Sequence, residues 1–147
     1  MLAPFERADG ENPYTIHNDL QSTMQNLVGI FRNEDDLRQA LSEIEKLRER
    51  AARTSVEGSR LFNPGWHLAR DLESMLIIAE AVTRSALARR ESRGAHSRID
   101  YAGLDSAWGS KHNVVVKKAD TMALIEAPVS EMPNDLKELL AVDGGTK

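Results

Sequence analysis

Between His67 and Ser92 the chain runs for about 26 residues without a proline or a glycine, and nothing else in the sequence limits the fold as strongly. At a rise of about 1.5 Å per residue such a stretch reaches roughly 39 Å as one helix, enough to run the height of a bundle. Leu68, Leu72, Met75, Leu76, Ala79, Val82, Ala86 and Ala88 lie along it at helical spacing and mark its core face. Gly94 stands where a C-terminal cap belongs. Arg89, Arg90 and Arg93 crowd the expected last turns, where cations suit the negative end of the helix dipole.

Two earlier helices are expected beside it. After the breaks at Pro4 and from Gly10 to Pro13, Leu20, Met24, Leu27 and Val28 predict a helix from about Thr15 to Val28, ended or bent by Gly29. Asn33 then precedes Glu34, Asp35 and Asp36, an N-cap followed by acids that complement the positive helix end. Leu37, Ala40, Leu41, Ile44, Leu47 and Ala51 give this second helix an apolar stripe, with Arg38, Glu45, Glu49 and Arg50 facing water. Gly58, Ser59, Asn63, Pro64 and Gly65 are turn residues and connect it to the long helix. The expectation is an all-α fold, an up-down-up three-helix bundle of the spectrin-repeat kind over residues 14–110. Residues 1–13 read as a loosely ordered lead-in, and 111–147 as a short mixed C-terminal extension. In that extension, His112 to Lys118 and Thr121 to Val129 read as a hairpin across Ala119 and Asp120, although the contiguous Val114 to Val116 gives no alternation to support it. Asp105 to Trp108 reads as one helical turn, Pro133 and Asn134 introduce a last helix through Leu140, and the GGTK end is expected to fray.

A length of 147 residues, 41% of them hydrophobic and 29% charged, suits one globular domain. The absence of cysteine excludes disulfides, thiolate zinc sites, thiolate-held iron–sulfur clusters and a cysteine nucleophile. A net charge of −4 supplies no overall attraction to nucleic acid or anionic lipid. The opening MLAPFERADG carries Glu6 and Asp9 and reads as no secretory signal, so a cytoplasmic location is expected. The apolar run from Met75 to Ala79 is broken at Glu80, far short of the roughly 20 residues that span a bilayer, so membrane association is expected only through a partner. His17, His67, His96 and His112 show no metal-ligand spacing, and neither GxGxxG nor GxxxxGK[ST] occurs. His67 reads as an interface or core residue. Catalytic, metal and cofactor-binding residues are therefore expected to be absent.

The segment that stands out is Arg84 to Asp100, RSALARRESRGAHSRID, with five arginines against Glu91 and Asp100. Three readings stay open: the arginines solvate and satisfy a helix end, they bind nucleic-acid phosphates without aromatic stacking partners, or they make forked contacts with carboxylates or carbonyls of another domain. His96 lies beside Arg93 and Arg98, whose charges disfavour its protonation, and the plain alternative for it is a hydrogen-bonded loop histidine.

The string ALARRESRGAHSRIDY, followed by Trp108 and Lys111-His112, resembles the C-terminal domain of the succinate dehydrogenase and fumarate reductase flavoprotein subunits. The resemblance extends upstream through Leu20-Gln21, Met24, Val28-Gly29-Ile30, Arg32, Leu37, Phe62-Asn63-Pro64, Trp66, Leu72, Met75-Leu76, Ala79-Glu80-Ala81 and Arg84, and covers roughly residues 14–112. Aspartate oxidases share the ESRG core, so that core marks the superfamily better than the substrate. The resemblance implies a three-helix bundle. It also implies a parent in which FAD takes hydride from succinate and electrons pass to an iron–sulfur subunit that membrane anchors connect to quinone. The parent would lie at the cytoplasmic face of the inner membrane. The family's dinucleotide-binding domain, flavin-linking histidine and substrate-binding residues match nothing in this chain, and the tail beyond His112 is unmatched. By this resemblance the chain packs beside the flavin-binding domain, helps dock the iron–sulfur subunit and is silent alone. Arg89, Arg93, His96 and Arg98 are the expected contact residues, with Glu91 as the internal partner that orients the arginine forks. The alternatives are a free-standing helical interaction module, the same domain from L-aspartate oxidase, and a nucleic-acid binder.

Overall fold

The computed structural model describes residues 2–143. Its elements run α1 (Ala3–Glu6), α2 (Pro13–Leu27), β1 (Phe31–Arg32), α3 (Glu34–Ala51), α4 (Pro64–Ala88), β2 (Ser97–Arg98), α5 (Ser106–Gly109), β3 (Lys111–Lys118), β4 (Thr121–Pro128) and α6 (Asn134–Asp143). About half the chain is helical, and α2, α3 and α4 pack on one another as the expected bundle. Two small sheets accompany it, so the description all-α does not cover the whole chain. The GGTK end lies outside the described residues.

Each bundle helix starts on an asparagine. Asn12 accepts the Tyr14 amide at 2.9 Å, Asn33 the Asp36 amide at 2.8 Å and Asn63 the Trp66 amide at 3.0 Å, which satisfies donors that a helix start otherwise leaves unpaired. Pro64 occupies the first turn of α4, where its missing N–H costs nothing, so the helix opens three residues before the expected His67. His67 is exposed, with its ring edge-on to Trp66 at 5.0 Å, and does not belong to the core.

The core forms two adjoining clusters. Ile16, Leu20, Ile44, Leu47, Leu72, Leu76 and Ala79 make one, and Val28, Leu37, Ala40 and Ala86 the other, with Met24 packed against both. On α4 the buried seam is Leu72, Leu76, Ala79, Thr83 and Ala86, a spacing of four and three. Thr83 occupies the core position expected of Val82. Its hydroxyl donates to the Ala79 carbonyl at 2.7 Å, which removes the penalty for burying it, while Val82 is 41% exposed.

The lead-in is tied to the end of α3: Ser55 donates its amide to Glu11 O at 3.1 Å and Val56 to Pro4 O at 2.9 Å. Gly10 lies so close that a Cβ there would sit 2.5 Å from the Arg53 carbonyl, so no other residue fits. At the other end of the bundle, β1 and β2 pair in parallel, Phe31 with Ser97 and Arg32 with Arg98. The tail hairpin forms as expected, with β3 antiparallel to β4 and Lys118 opposite Thr121.

Candidate functional site

The α4 helix ends at Ala88 rather than Ser92, because the groups that would continue it are taken by other partners. Arg89 is already extended, and Ser92 donates its amide to Gly103 O at 2.9 Å. The last carbonyls of α4 are met by Arg98, whose Nη1 lies 3.0 Å from Ala86 O, 3.2 Å from Leu87 O and 3.3 Å from Arg89 O. The cation at the negative end of the dipole is therefore Arg98, arriving from β2, and not Arg89, Arg90 or Arg93. Gly94, with φ of +58°, sits in the turn that closes an Arg93–His96 bridge and is not a helix cap.

Arg98 is fully enclosed. The rest of its fork meets Asp100, Nε to Oδ1 and Nη2 to Oδ2, both at 2.7 Å, and its guanidinium lies 4.9 Å from the centre of the Tyr101 ring. Asp100 in turn accepts the Glu34 amide at 2.9 Å, so one ion pair joins the end of α4 to the start of α3. The Arg98 hydrogen bonds hold the Asp100 carboxyl down at about 2.

Glu91 is the second hub and is likewise fully enclosed. Its carboxylate accepts Arg93 Nε at 2.9 Å and Nη2 at 3.0 Å, the Asp105 amide at 2.9 Å, and Arg89 Nη1. These bonds, led by Arg93, lower its pKa to about 2 against the opposing effect of burial. Arg89 also lies over the Trp108 ring at 5.0 Å.

His96 has both ring nitrogens occupied. Arg32 Nη1 is 2.7 Å from Nδ1, and because an arginine only donates, Nδ1 accepts and Nε2 carries the proton toward Arg89 O at 3.1 Å. Burial is the main reason its pKa falls, followed by the charges of Arg32, Arg98 and Arg89. The ring is held neutral. The expected effect of neighbouring guanidiniums is present, but Arg32 replaces Arg93 as the nearest source of it.

The structure thus gathers Arg89, Glu91, Arg93, His96 and Arg98 into one loop, with Glu91 holding two of the arginines and Arg98 turned inward. Sequence reasoning about the site missed Arg32, Asp100 and Asp105. Arg32 is 64 positions from the histidine it touches, and no local pattern announces such a pair.

The family described as fumarate reductase flavoprotein C-term matches residues 17–138. This chain belongs to that family. It is 38% identical over 105 residues to the succinate dehydrogenase flavoprotein subunit of Coxiella burnetii, an alignment that covers 71% of this chain and 18% of that protein. To the fumarate reductase flavoprotein subunit of Mycobacterium tuberculosis it is 37% identical over 112 residues, 76% of this chain and 19% of the other. Its fold superposes on the Mycobacterium smegmatis Sdh1 complex in the apo form with a TM-score of 0.85 and 41% identity, covering 99% of this chain and 26% of that one. The chain spans about a fifth of the length of the curated relatives it matches.

The family name raises the question of a flavin. A dinucleotide is held by a glycine-rich turn between a parallel strand and a helix whose positive end faces the pyrophosphate. Among the described residues the parallel strands are the two-residue β1 and β2, and the helix that follows β1 opens with Glu34, Asp35 and Asp36, which would repel phosphate. These residues form no dinucleotide cradle of that kind. No helix among the described residues is long and apolar enough to cross a membrane.

Proposed function

We propose that this chain is the C-terminal helical domain of a longer FAD-dependent flavoprotein that interconverts succinate and fumarate, and that its part is to pack beside the flavin-binding portion and help dock an iron–sulfur subunit. On this reading the catalytic groups lie elsewhere in the polypeptide, and the parent attaches to the membrane face through other subunits. Arg89, Arg93 and His96 present the contact surface. Glu91 fixes the two arginine forks, and Arg98 acts from inside by holding the loop to the bundle.

The observation that carries this reading is the pairing of a wired loop with uncovered apolar surface around it. Phe31 on β1 is 74% exposed, Ile99 just past β2 is 64% exposed, and Leu104 further along the chain is 71% exposed. Large apolar side chains clustered at one end of a domain are suited to burial against another domain. Glu91 and Arg98 are enclosed at the same end, where a rigid loop would give a partner one shape to fit.

The test is succinate-dependent reduction of a dye. This chain with added FAD should give none, while the native polypeptide recovered from source cells should carry flavin and reduce the dye. Turnover by the 147-residue chain alone would overturn the reading.

A further inference from the structure

Around this end of the bundle Arg89, Arg93 and Arg98 each pair with a carboxylate, whereas exposed Arg90 and half-buried Arg32 pair with none among the described residues. Arg32 Nε donates to Val28 O at 3.0 Å and Gly29 O at 2.6 Å, and its Nη1 to His96. All three partners are neutral. The guanidinium is half-buried, and burial lowers its pKa with no acidic group opposing the fall. A partly buried charge with neutral partners and no counter-ion leaves a setting that an anion would complete.

Arg32 and His96 line an open cleft of about 470 Å³ between α4 and β3. Ala81, Val82, Ala86 and Val115 give it an apolar stretch of wall, and Ser85, Arg89, His112 and Asn113 line the rest. Along α4 the same face continues to Ile78, which is 63% exposed and one helical turn before Val82. A free inorganic anion would leave this wall wet. An apolar peptide segment that carries a carboxylate would cover the wall and neutralise the guanidinium together.

We propose that this cleft receives a carboxylate-bearing apolar segment from the flavin-binding portion of the same polypeptide, with its Asp or Glu side chain paired to Arg32. The inference rests on the reading of the chain as part of a longer flavoprotein. The same-chain source is favoured because the relatives carry about four-fifths of their length outside the matched region, and a covalently tethered segment arrives at high effective concentration.

The experiment uses the full-length flavoprotein with its partner subunits, carrying Arg32→Lys. A carbodiimide joins a lysine amine to a carboxylate it touches, with loss of water, and peptide mass spectrometry locates the amide formed. The expected product links position 32 to an Asp or Glu of the flavin-binding portion. The Lys111–Glu126 pair, 2.7 Å apart, should link in the same sample and shows that the reagent works. A link from position 32 to another subunit, a link only within residues 1–147, or none while Lys111 reacts would each overturn the proposal.

A second variant needs no cross-link. Arg32→Met should make limited proteolysis between the two portions faster by about tenfold, while Arg32→Lys stays near the wild-type rate. Equal cutting of all three proteins would overturn it. A native polypeptide with no flavin-binding portion would instead remove the functional reading, so the two failures are told apart.

Discussion

Leu72 and Ile16 in the bundle are as thoroughly enclosed as Glu91 and Arg98 in the loop that follows it, yet the two regions reach that burial by opposite means. In the bundle, apolar side chains are removed from water, and the gain depends mainly on area and little on direction. In the loop, two charges have been taken out of water, and the arrangement holds only because every partner is in place. Among the described residues no buried side-chain nitrogen or oxygen lacks a hydrogen bond. The difference teaches where tolerance lies. A bundle position accepts another side chain of similar volume, whereas a fork such as Arg98, bonded to Asp100 and to three carbonyls, does not accept even a lysine.

The largest effect should come from placing the loop's material in the bundle. Leu72→Asp forfeits roughly 1.5 to 3 kcal/mol of apolar burial and also encloses an unpaired carboxylate, so the cooperative thermal transition should vanish. An unchanged melt would show that the α4 core face is misplaced. The converse exchange, Arg98→Met, removes the cation from the end of α4 and leaves the last α4 carbonyls and the partly exposed Asp100 without their partner. The melting temperature should fall, by less than for Leu72→Asp.

Acid should divide the two regions without mutation. Glu91 and Asp100 sit at about 2, below ordinary values of 4.5 and 3.8, so their stabilisation is complete above those ordinary values and is lost as pH falls through about 2. His96, pushed below 6.5 mainly by burial, adds an earlier decline that begins under 6.5, because the unfolded ring takes a proton first. Hydrogen exchange at the amides of Ser92 and Asp105 should accelerate as pH is lowered, once the intrinsic pH dependence is removed, while amides of α2 and α4 beside the apolar core hold. Parallel loss in both regions would break the distinction. The smallest effect belongs to a device both regions share, the capping of a helix end: Asn63→Ala should cost about 1 kcal/mol and leave the loop untouched.

The two regions also differ in how far they are legible from sequence. Periodicity identifies the stripe Leu37, Ala40, Ile44 and Leu47, and Asn33 announces its helix, because these signals repeat every turn or act within three residues. Thr83 escapes such a reading, since a binary pattern counts it as polar while its hydroxyl is satisfied within its own helix. The membership of the arginine loop and the place of Glu91 as partner of its arginine forks are expected from the sequence, but the longer-range wiring is not. Arg98 reaches back to Ala86, Asp105 reaches back to Glu91, and Arg32 meets His96 across most of the domain. Such pairings are decided by how the bundle brings its end together, and no short spacing encodes them. The C-terminal end of α4, expected at Ser92 and found four residues earlier at Ala88, has the same origin, because the helix is ended by a distant arginine and not by a local breaker.

The central claim is that this domain is one part of a larger flavoprotein, and the size of the native polypeptide tests it most directly. An antibody raised to this chain, used on a lysate of the source cells, should reveal a band several times heavier than 16.3 kDa that carries flavin. A flavin-free band at 16.3 kDa would contradict the claim and identify a free-standing helical protein.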